Sequence, residues 1–222
     1  MSTTFYLDLD RTLFRTERAS EIYDAIKKVY PDSAAMRAGY DKRADYYVFP
    51  HKKDGDSVTY YHDMVSQLRA ANLDYQQVFN AIRSELSDGR LEYPGLEEFI
   101  RLLKQRGAIK ILTYGEDRYQ RFKASLCPSL AGIEIITLIG SKSEYLNKYA
   151  LPGDWIIDDK RIEGLKPGIR MVQILHDSRV AAAVRSLADA GKMVVNTYKT
   201  QNLCNIPAGV SKPNPKCIRS WL

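Results

Sequence analysis

Apolar and polar residues follow two different rhythms along this chain. Residues 4–9 form a short apolar run that ends in acidic residues, a pattern typical of a buried β-strand. From about residue 15 to residue 90, apolar residues recur at the spacing of an α-helix. Three segments show this spacing: 16–30, 63–71 and 75–86. The segment 51–62, with the turn residues Asp54 and Gly55, predicts a loop. The pattern therefore predicts one strand followed by a helical insertion.

Beyond residue 91 the pattern alternates between strands and helices. Strands are predicted over 108–115, 133–140, 154–160, 169–175 and 192–198, and helices over 96–106, 116–126, 143–150 and 178–191. Gly107 stands where the first of these helices is expected to stop. Strands that alternate with helices pair in parallel through right-handed crossovers. We therefore predict an α/β fold with a parallel sheet that is interrupted by a helical insertion.

Composition and charge narrow the class of protein. The chain has 222 residues, 45% of them hydrophobic, which suffices for a packed core without disulfide bonds. The three cysteines are widely separated and lack zinc-site spacing. No apolar run is long enough to cross a membrane, and the N-terminus lacks the pattern of a secretion signal, so we expect a cytoplasmic protein. The net charge of +6 is spread along the chain, so nucleic acid is a possible partner but not the favoured one.

Polar residues follow the predicted strands at the point where each strand ends. They are Asp8 and Asp10 after the first strand, Thr113 at the second, Lys142 after the third, and Asp158 with Asp159 at the fourth. The carboxyl ends of parallel strands converge at one edge of a sheet, where ligands bind. Carboxylates are ligands that Mg²⁺ prefers, and hydroxyl and ammonium groups can hold phosphoryl oxygens. The sequence therefore predicts a magnesium and phosphate site at this edge.

Four motifs in this order resemble the signature of the haloacid dehalogenase superfamily, in its phosphatase-type branch. They are DLDRTL at 8–13, LTYG at 112–115, a downstream lysine, and IIDD at 156–159. The resemblance covers residues 4–14 and about 92–200, and the insertion between them resembles the helical C1 cap of these enzymes. It implies a Rossmann-like core with a doubly wound parallel sheet over 1–14 and 91–204, and an inserted α-helical cap domain over 15–90. The Pro-rich stretch 205–222 is expected to form an irregular tail.

The resemblance implies two catalytic carboxylates in the first motif. Asp8 would be the nucleophile that forms an aspartyl-phosphate, and Asp10 would be the general acid and then the general base. Dehalogenases of the superfamily lack an acid at the second position, so Asp10 favours phosphoryl transfer. Alternation along an extended strand would place both side chains on one side. Arg11 departs from the pattern, since glycine is commonest there, whereas Thr12 fits it.

The remaining motifs imply groups that bind phosphate and metal. Thr113, with the backbone of Tyr114 and Gly115, would bind the phosphoryl oxygens. Lys142 would neutralise charge on the nucleophile and the phosphoryl group, with Lys148 as the alternative motif lysine. The implied ligands of the Mg²⁺ cofactor are Asp8, Asp10, Asp158 and Asp159.

The implied reaction is the Mg²⁺-dependent hydrolysis of a small phosphorylated metabolite, such as a nucleotide or a sugar phosphate. Tyrosines and basic residues of the cap would select the leaving group, because a closing cap excludes water and supplies specificity. Two alternatives stay open. One is a phosphotransferase or phosphomutase that uses the same aspartyl-phosphate, and the other is a catalytically silent protein of this fold that binds nucleic acid or another ligand. The oligomeric state is also open.

Overall fold

The computed structural model of the protein describes residues 3–32, 39–51, 59–175 and 195–196. The strands within these residues are β1 (Thr3–Leu7), β2 (Tyr47–His51), β3 (Thr59–His62), β4 (Gly107–Tyr114), β5 (Glu134–Leu138), β6 (Trp155–Asp158), β7 (Arg170–Leu175) and β8 (Val195–Asn196). The α-helices are α1 (Ser20–Val29), α2 (Met64–Ala70), α3 (Tyr75–Leu86), α4 (Leu96–Lys104), α5 (Asp117–Ser125) and α6 (Lys142–Tyr149). Short 3-10 helices cover Thr16–Arg18, Tyr40–Tyr46 and Pro128–Leu130.

The large sheet is parallel throughout, with the strand order β5-β4-β1-β6-β7-β8 in the described part of the chain. The chain builds the sheet outward from β1 to β5, then returns to the other side of β1 and builds outward again through β6. This is a doubly wound order, in which a crevice opens beside the first strand, where the winding reverses. The predicted fold class is confirmed, and the crevice lies at the ends of β1 and β6.

The insertion between β1 and β4 is not wholly helical, because β2 and β3 form an antiparallel hairpin. Tyr47 pairs with His62, and Val48 pairs with Tyr61. The prediction of a loop over 51–62 was therefore wrong at the β3 residues. Aromatic residues favour a pleated pair of strands because their side chains pack across it, and this preference was overlooked. Residues 52–58, with the predicted turn, lie outside the described residues.

Gly107 was also misinterpreted as a helix stop. Helix α4 already ends at Lys104, and Gly107 is the first residue of β4, paired with Thr3 of β1. A Cβ atom on Gly107 would clash with the backbone carbonyl of Thr3. The glycine therefore allows β1 and β4 to approach each other closely.

One apolar core joins the insertion to the sheet. Ile22 of α1 and Phe79 of α3 belong to the same buried cluster as Leu7 of β1 and Phe122 of α5. On the opposite face of the sheet, Tyr6 belongs to a smaller cluster that includes residues of β4, β6 and α6. Successive residues of β1 thus bury their side chains on opposite faces, as expected for a central strand. The two clusters thus cover both faces of the sheet.

Some sequence predictions concern parts of the chain outside the described residues. They are the helix over 178–191, most of the strand over 192–198, Cys204, Cys217 and the tail over 205–222. Cys127 is buried, and burial raises the pKa of its thiol. In the described part of the chain, no helix combines the length and apolarity that a membrane crossing requires.

Candidate active site

A tight turn follows β1 and separates the two aspartates of the first motif. Strand β1 ends at Leu7, and the backbone N–H of Asp8 still bonds to the Ile157 carbonyl oxygen at 2.9 Å. The Leu9 carbonyl oxygen then accepts bonds from Leu13 and Phe14 at 2.9 and 2.8 Å. Arg11 has a left-handed φ of 58°, which explains why glycine would suit this turn. Because the chain leaves the sheet before the second aspartate, the two carboxylates reach different partners.

Asp8, Asp158 and Asp159 form a carboxylate group at the crevice. One carboxylate oxygen from each lies within 4.8 Å of the others. Asp8 and Asp158 are buried, and Asp159 is half-buried. Mg²⁺ takes hard oxygen ligands at about 2.0–2.1 Å, so the donor type and the spacing suit one such ion. The three side chains thus fit a divalent cation.

Lys142 supplies the positive charge next to this group. It is the first residue of α6, after the capping side chain of Ser141, and its Nζ lies 2.5 Å from Asp8 Oδ1 and 2.6 Å from Asp158 Oδ2. Burial opposes its ionisation, but the two carboxylates outweigh burial and raise the pKa of Lys142. Lys148 is exposed and lies over the ring of Tyr149 instead. Of the two candidate lysines, the structure brings Lys142 to the site.

The single ammonium group of Lys142 does not fully compensate the negative charge of the three neighbouring carboxylates. Burial, together with the charges of Asp158 and Asp10, raises the pKa of Asp8 to about 7 against the opposing effect of Lys142. Burial and the charge of Asp158 raise the pKa of Asp159 to about 6. Both carboxylates thus hold protons more tightly than exposed acids do. A bound cation reverses this effect, because its charge favours the ionised carboxylates.

Asp10 lies outside this group and is held by α5. Its two carboxylate oxygens lie 2.6 and 2.5 Å from Lys123 Nζ, and they also accept hydrogen bonds from Thr16 Oγ1 at 3.0 Å and Gln120 Nε2 at 3.3 Å. Burial alone would raise the pKa of Asp10, but Lys123 and the two hydrogen bonds lower it overall. The structure thus brings three of the four expected metal ligands together, and the turn directs the Asp10 carboxylate towards Lys123.

The LTYG motif is in the expected place, but the Thr113 hydroxyl and the Gly115 amide already have partners. Thr113 is buried, and its hydroxyl donates to Gln120 Oε1 at 3.3 Å. The Gly115 N–H donates to the Leu138 carbonyl oxygen at 2.9 Å, which extends the pairing of β4 with β5. The buried Tyr114 hydroxyl has no hydrogen-bond partner among the described residues. The expected phosphate contacts of Thr113 and Gly115 therefore require local rearrangement.

Sequence reasoning missed all three side chains that hold Asp10, namely Thr16 and, on α5, Gln120 and Lys123. Gln120 and Lys123 are both buried, one helical turn apart. A signal was present, because Tyr119, Phe122 and Leu126 mark the apolar stripe of this helix and Lys123 interrupts it. A lysine within an apolar stripe requires a partner at depth. The pattern of the helix alone does not show that this partner is Asp10.

The hairpin brings aromatic side chains of the insertion to the site. The ring of Tyr61 contacts the ring of Tyr114 edge-on, with centroids 5.8 Å apart, and His62 contacts Tyr119 at 5.5 Å. His62 Nε2 lies 2.7 Å from Gln67 Oε1, and burial lowers the pKa of His62 to about 4. The histidine is thus a neutral packing residue between hairpin and core.

The insertion also contains basic residues that were expected to recognise the leaving group. Arg43 stacks over the ring of Tyr40 at 3.6 Å and donates to the Tyr40 carbonyl oxygen. Arg43 therefore has a structural partner within the insertion. Arg37, Lys52 and Lys53 lie outside the described residues.

A scan of protein-family models gives no match, and a search of curated protein sequences gives none either. Solved structures with a similar fold do exist. A protein assigned as a haloacid dehalogenase-like hydrolase from Burkholderia xenovorans has a TM-score of 0.49 and 18% identity, covering 78% of this chain and 81% of its own.

Two further solved structures are similar at a comparable level. The L-2-haloacid dehalogenase from Xanthobacter autotrophicus has a TM-score of 0.47 and 14% identity, covering 85% of this chain and 83% of its own. A protein assigned as a β-phosphoglucomutase from Thermotoga maritima has a TM-score of 0.46 and 14% identity, covering 88% of this chain and 94% of its own. These similarities do not distinguish one chemistry from another.

Proposed function

We propose that this protein is a Mg²⁺-dependent phosphatase of the haloacid dehalogenase superfamily that acts on a small phosphorylated metabolite. The observation that carries the proposal is the group formed by Asp8, Asp158 and Asp159, with the Lys142 ammonium 2.5 Å from Asp8. Three acids and one ammonium leave negative charge that a divalent cation would balance. Asp8 follows β1 directly, and its backbone N–H bonds to Ile157 of β6.

Hydrolysis would proceed in two steps on the chain's own carboxylates. Asp8 attacks phosphorus, so that an oxygen–phosphorus bond forms to Asp8 while the bond to the leaving oxygen breaks. Asp10 takes part in its protonated form and gives that proton to the leaving oxygen, so substrate binding must first overcome the effect of Lys123, which lowers the pKa of Asp10. In the second step Asp10 takes a proton from water, the water oxygen bonds to phosphorus, and the Asp8–phosphorus bond breaks. Phosphate leaves, Asp8 is again an ionised carboxylate, and Asp10 is again protonated.

The neighbouring residues would support these steps by charge and position. Lys142 offsets negative charge on Asp8 and on the phosphoryl oxygens throughout. Asp8, Asp158 and Asp159 would hold the Mg²⁺ ion, which when bound neutralises carboxylate charge and polarises the phosphoryl group. Thr113 would bind a phosphoryl oxygen after its hydroxyl leaves Gln120. The side chain of Asp10 is reserved for proton transfer in this proposal.

The insertion over 15–90 would act as the cap that selects the substrate. This role is supported by the contact between Tyr61 of β3 and Tyr114, the residue that directly follows Thr113. Aromatic side chains at this position suit a planar or sugar-like leaving group. A cap packed this close to the crevice favours a small metabolite over a polymer.

Phosphate release from p-nitrophenyl phosphate tests the proposal. We expect turnover with Mg²⁺, loss of turnover in EDTA, and recovery when Mg²⁺ is restored. Asp8→Asn should reduce turnover to background, because the amide is not a nucleophile. Asp24→Asn, on the exposed face of α1, is the matched control and should retain activity. Full activity of Asp8→Asn would refute the proposed nucleophile.

The same assay separates the alternative functions. A phosphotransferase or phosphomutase would pass the phosphoryl group to an added alcohol or sugar in preference to water. A silent binding protein would release no phosphate under any of these conditions. Salt-dependent binding of oligonucleotides without phosphate release would favour the nucleic-acid alternative.

A further inference from the structure

Lys123 is buried, and its ammonium is directed at one carboxylate. Only 5% of the residue is exposed, and its Nζ contacts both oxygens of Asp10. The rings of Phe14 and Tyr119 lie 5.6 and 5.0 Å from the same ammonium. Burying a charged amine is costly, and an apolar residue of similar length would fill the space at lower cost. The lysine therefore needs an explanation beyond packing.

Gln120, one turn earlier on α5, links the first two motifs of the site. Its Nε2 donates to Asp10 at 3.3 Å and to the Tyr114 carbonyl oxygen at 2.8 Å, and its Oε1 accepts from Thr113. The amide also packs against Gly115, where a Cβ atom would collide with it. Gln120 thus fixes the distance between the turn after β1 and the end of β4.

Together these contacts determine where the Asp10 carboxylate lies. Four donor contacts reach it: two from Lys123, one from Thr16 and one from Gln120. Three of these contacts come from two residues of α5, more than a hundred residues away in sequence, and they hold both oxygens in one orientation.

We infer that Lys123 and Gln120 are positioning residues for proton transfer at Asp10. They act through Asp10 by holding its carboxylate in one place between the turn after β1 and the end of β4, the two motifs that would contact a bound ester. This inference rests on the proposed function, in which Asp10 exchanges a proton with the leaving group. Correct placement of an acid matters because small displacements of a proton donor cost large factors in rate.

The inference makes a prediction about leaving groups. An alkyl alcohol is a poor leaving group and needs a proton as the bond to phosphorus breaks, whereas p-nitrophenol leaves well without one. Displacing Asp10 should therefore slow an alkyl phosphate selectively. The useful quantity is kcat/KM, because it reports the first chemical step and is insensitive to the later hydrolysis of the aspartyl-phosphate.

The experiment compares glycerol 2-phosphate with p-nitrophenyl phosphate, both with saturating Mg²⁺. For Lys123→Met we expect kcat/KM to fall at least about tenfold on glycerol 2-phosphate and less than about threefold on p-nitrophenyl phosphate. Gln120→Leu should show the same preference with a smaller amplitude. Lys104→Met changes an exposed lysine at the end of α4 and should alter neither value.

A second comparison tests whether Lys123 acts through Asp10. Asp10→Asn alone should lower kcat/KM on glycerol 2-phosphate by about a hundredfold or more. Adding Lys123→Met to Asp10→Asn should produce no further selective loss, because the group that Lys123 positions is already gone. Thermal unfolding of every variant establishes that it is folded. If Lys123→Met does not fold, Gln120→Leu is judged by the same two criteria.

Two outcomes would overturn the inference while leaving the phosphatase proposal intact. One is an equal loss on both esters, and the other is a full additional loss in the Asp10→Asn background. Either would assign Lys123 and Gln120 to stability alone. By contrast, a wild-type protein that hydrolyses neither ester would overturn the phosphatase proposal and this inference together.

Discussion

The ring of Phe79 in the insertion lies parallel to the ring of Phe122 on α5. Their centroids are 4.0 Å apart, and the ring planes differ by 6°. Both side chains are buried. Since α5 also carries the two residues that hold Asp10, the insertion is joined to the helix that supports the proposed proton donor. Substitutions in the insertion can therefore affect the site without touching a substrate.

Removing the Phe79 ring should destabilise the whole protein. We expect Phe79→Ala to lower the free energy of unfolding by about 3–5 kcal/mol, through lost burial and the cavity left against Phe122. Urea denaturation followed by circular dichroism measures this value. Phe49→Ala is the control, because Phe49 is 50% exposed, and it should cost less than about 1 kcal/mol. Similar values for the two variants would contradict the shared core.

Gly107 should not tolerate a side chain. In Gly107→Ala the new methyl group would meet the Thr3 carbonyl, so β1 and β4 would have to separate where they pair. We expect a loss of at least about 2 kcal/mol in the free energy of unfolding. At Gly140 a Cβ atom would meet nothing within 4 Å, so Gly140→Ala should be nearly neutral. A stable Gly107→Ala protein would mean that the two strands lie further apart than the structure shows.

Lys142 should contribute most to the free energy of unfolding when no metal is bound. In Lys142→Met, Asp8 and Asp158 lose the ammonium that both contact, and their charges are left buried together. Breaking a buried ion pair costs about 3–5 kcal/mol, so we expect a loss of that order in EDTA. Added Mg²⁺ should restore part of it. Lys148→Met, on the exposed side of the same helix, is the control, and an equal effect there would refute the assignment of Lys142.

His62 should make the folded state sensitive to mild acid. Its pKa is about 4 in the folded protein, below the ordinary value of about 6.5 expected in the unfolded chain. The unfolded state therefore binds the proton first, so stability is lost as the pH falls from about 6.5 towards 4. Between pH 7 and pH 5 this loss should be about 2 kcal/mol.

The free energy of unfolding, measured at pH 7 and pH 5 for the wild type and for His62→Gln, separates the contribution of His62 from that of the carboxylates. The variant should lose about 2 kcal/mol less than the wild type over this interval. If the wild type and His62→Gln showed the same pH dependence, the pKa of His62 would not be lowered in the folded protein.

Local patterns were sufficient to predict the sheet and the edge where the site lies. Alternating strands and helices imply parallel pairing, and parallel pairing brings the strand ends together, so Asp8, Lys142 and Asp158 could be expected to meet. The orientation of Asp10 could not be predicted in this way. It depends on the turn at Arg11 and on Lys123, whose contact with it is established only by tertiary folding. Strand β3 was missed for a different reason, since turn residues nearby outweighed the β-preference of its tyrosines.

Strand β1 has a neighbour on each side, and the Asp8 amide continues its bonding to β6. A backbone group in such a place exchanges its hydrogen with solvent only when the whole domain opens. The proposed nucleophile thus directly follows a strand whose backbone hydrogen bonds open only when the domain unfolds. Heat inactivation should therefore follow the same time course as loss of the sheet, with no early phase in which a folded but inactive enzyme accumulates.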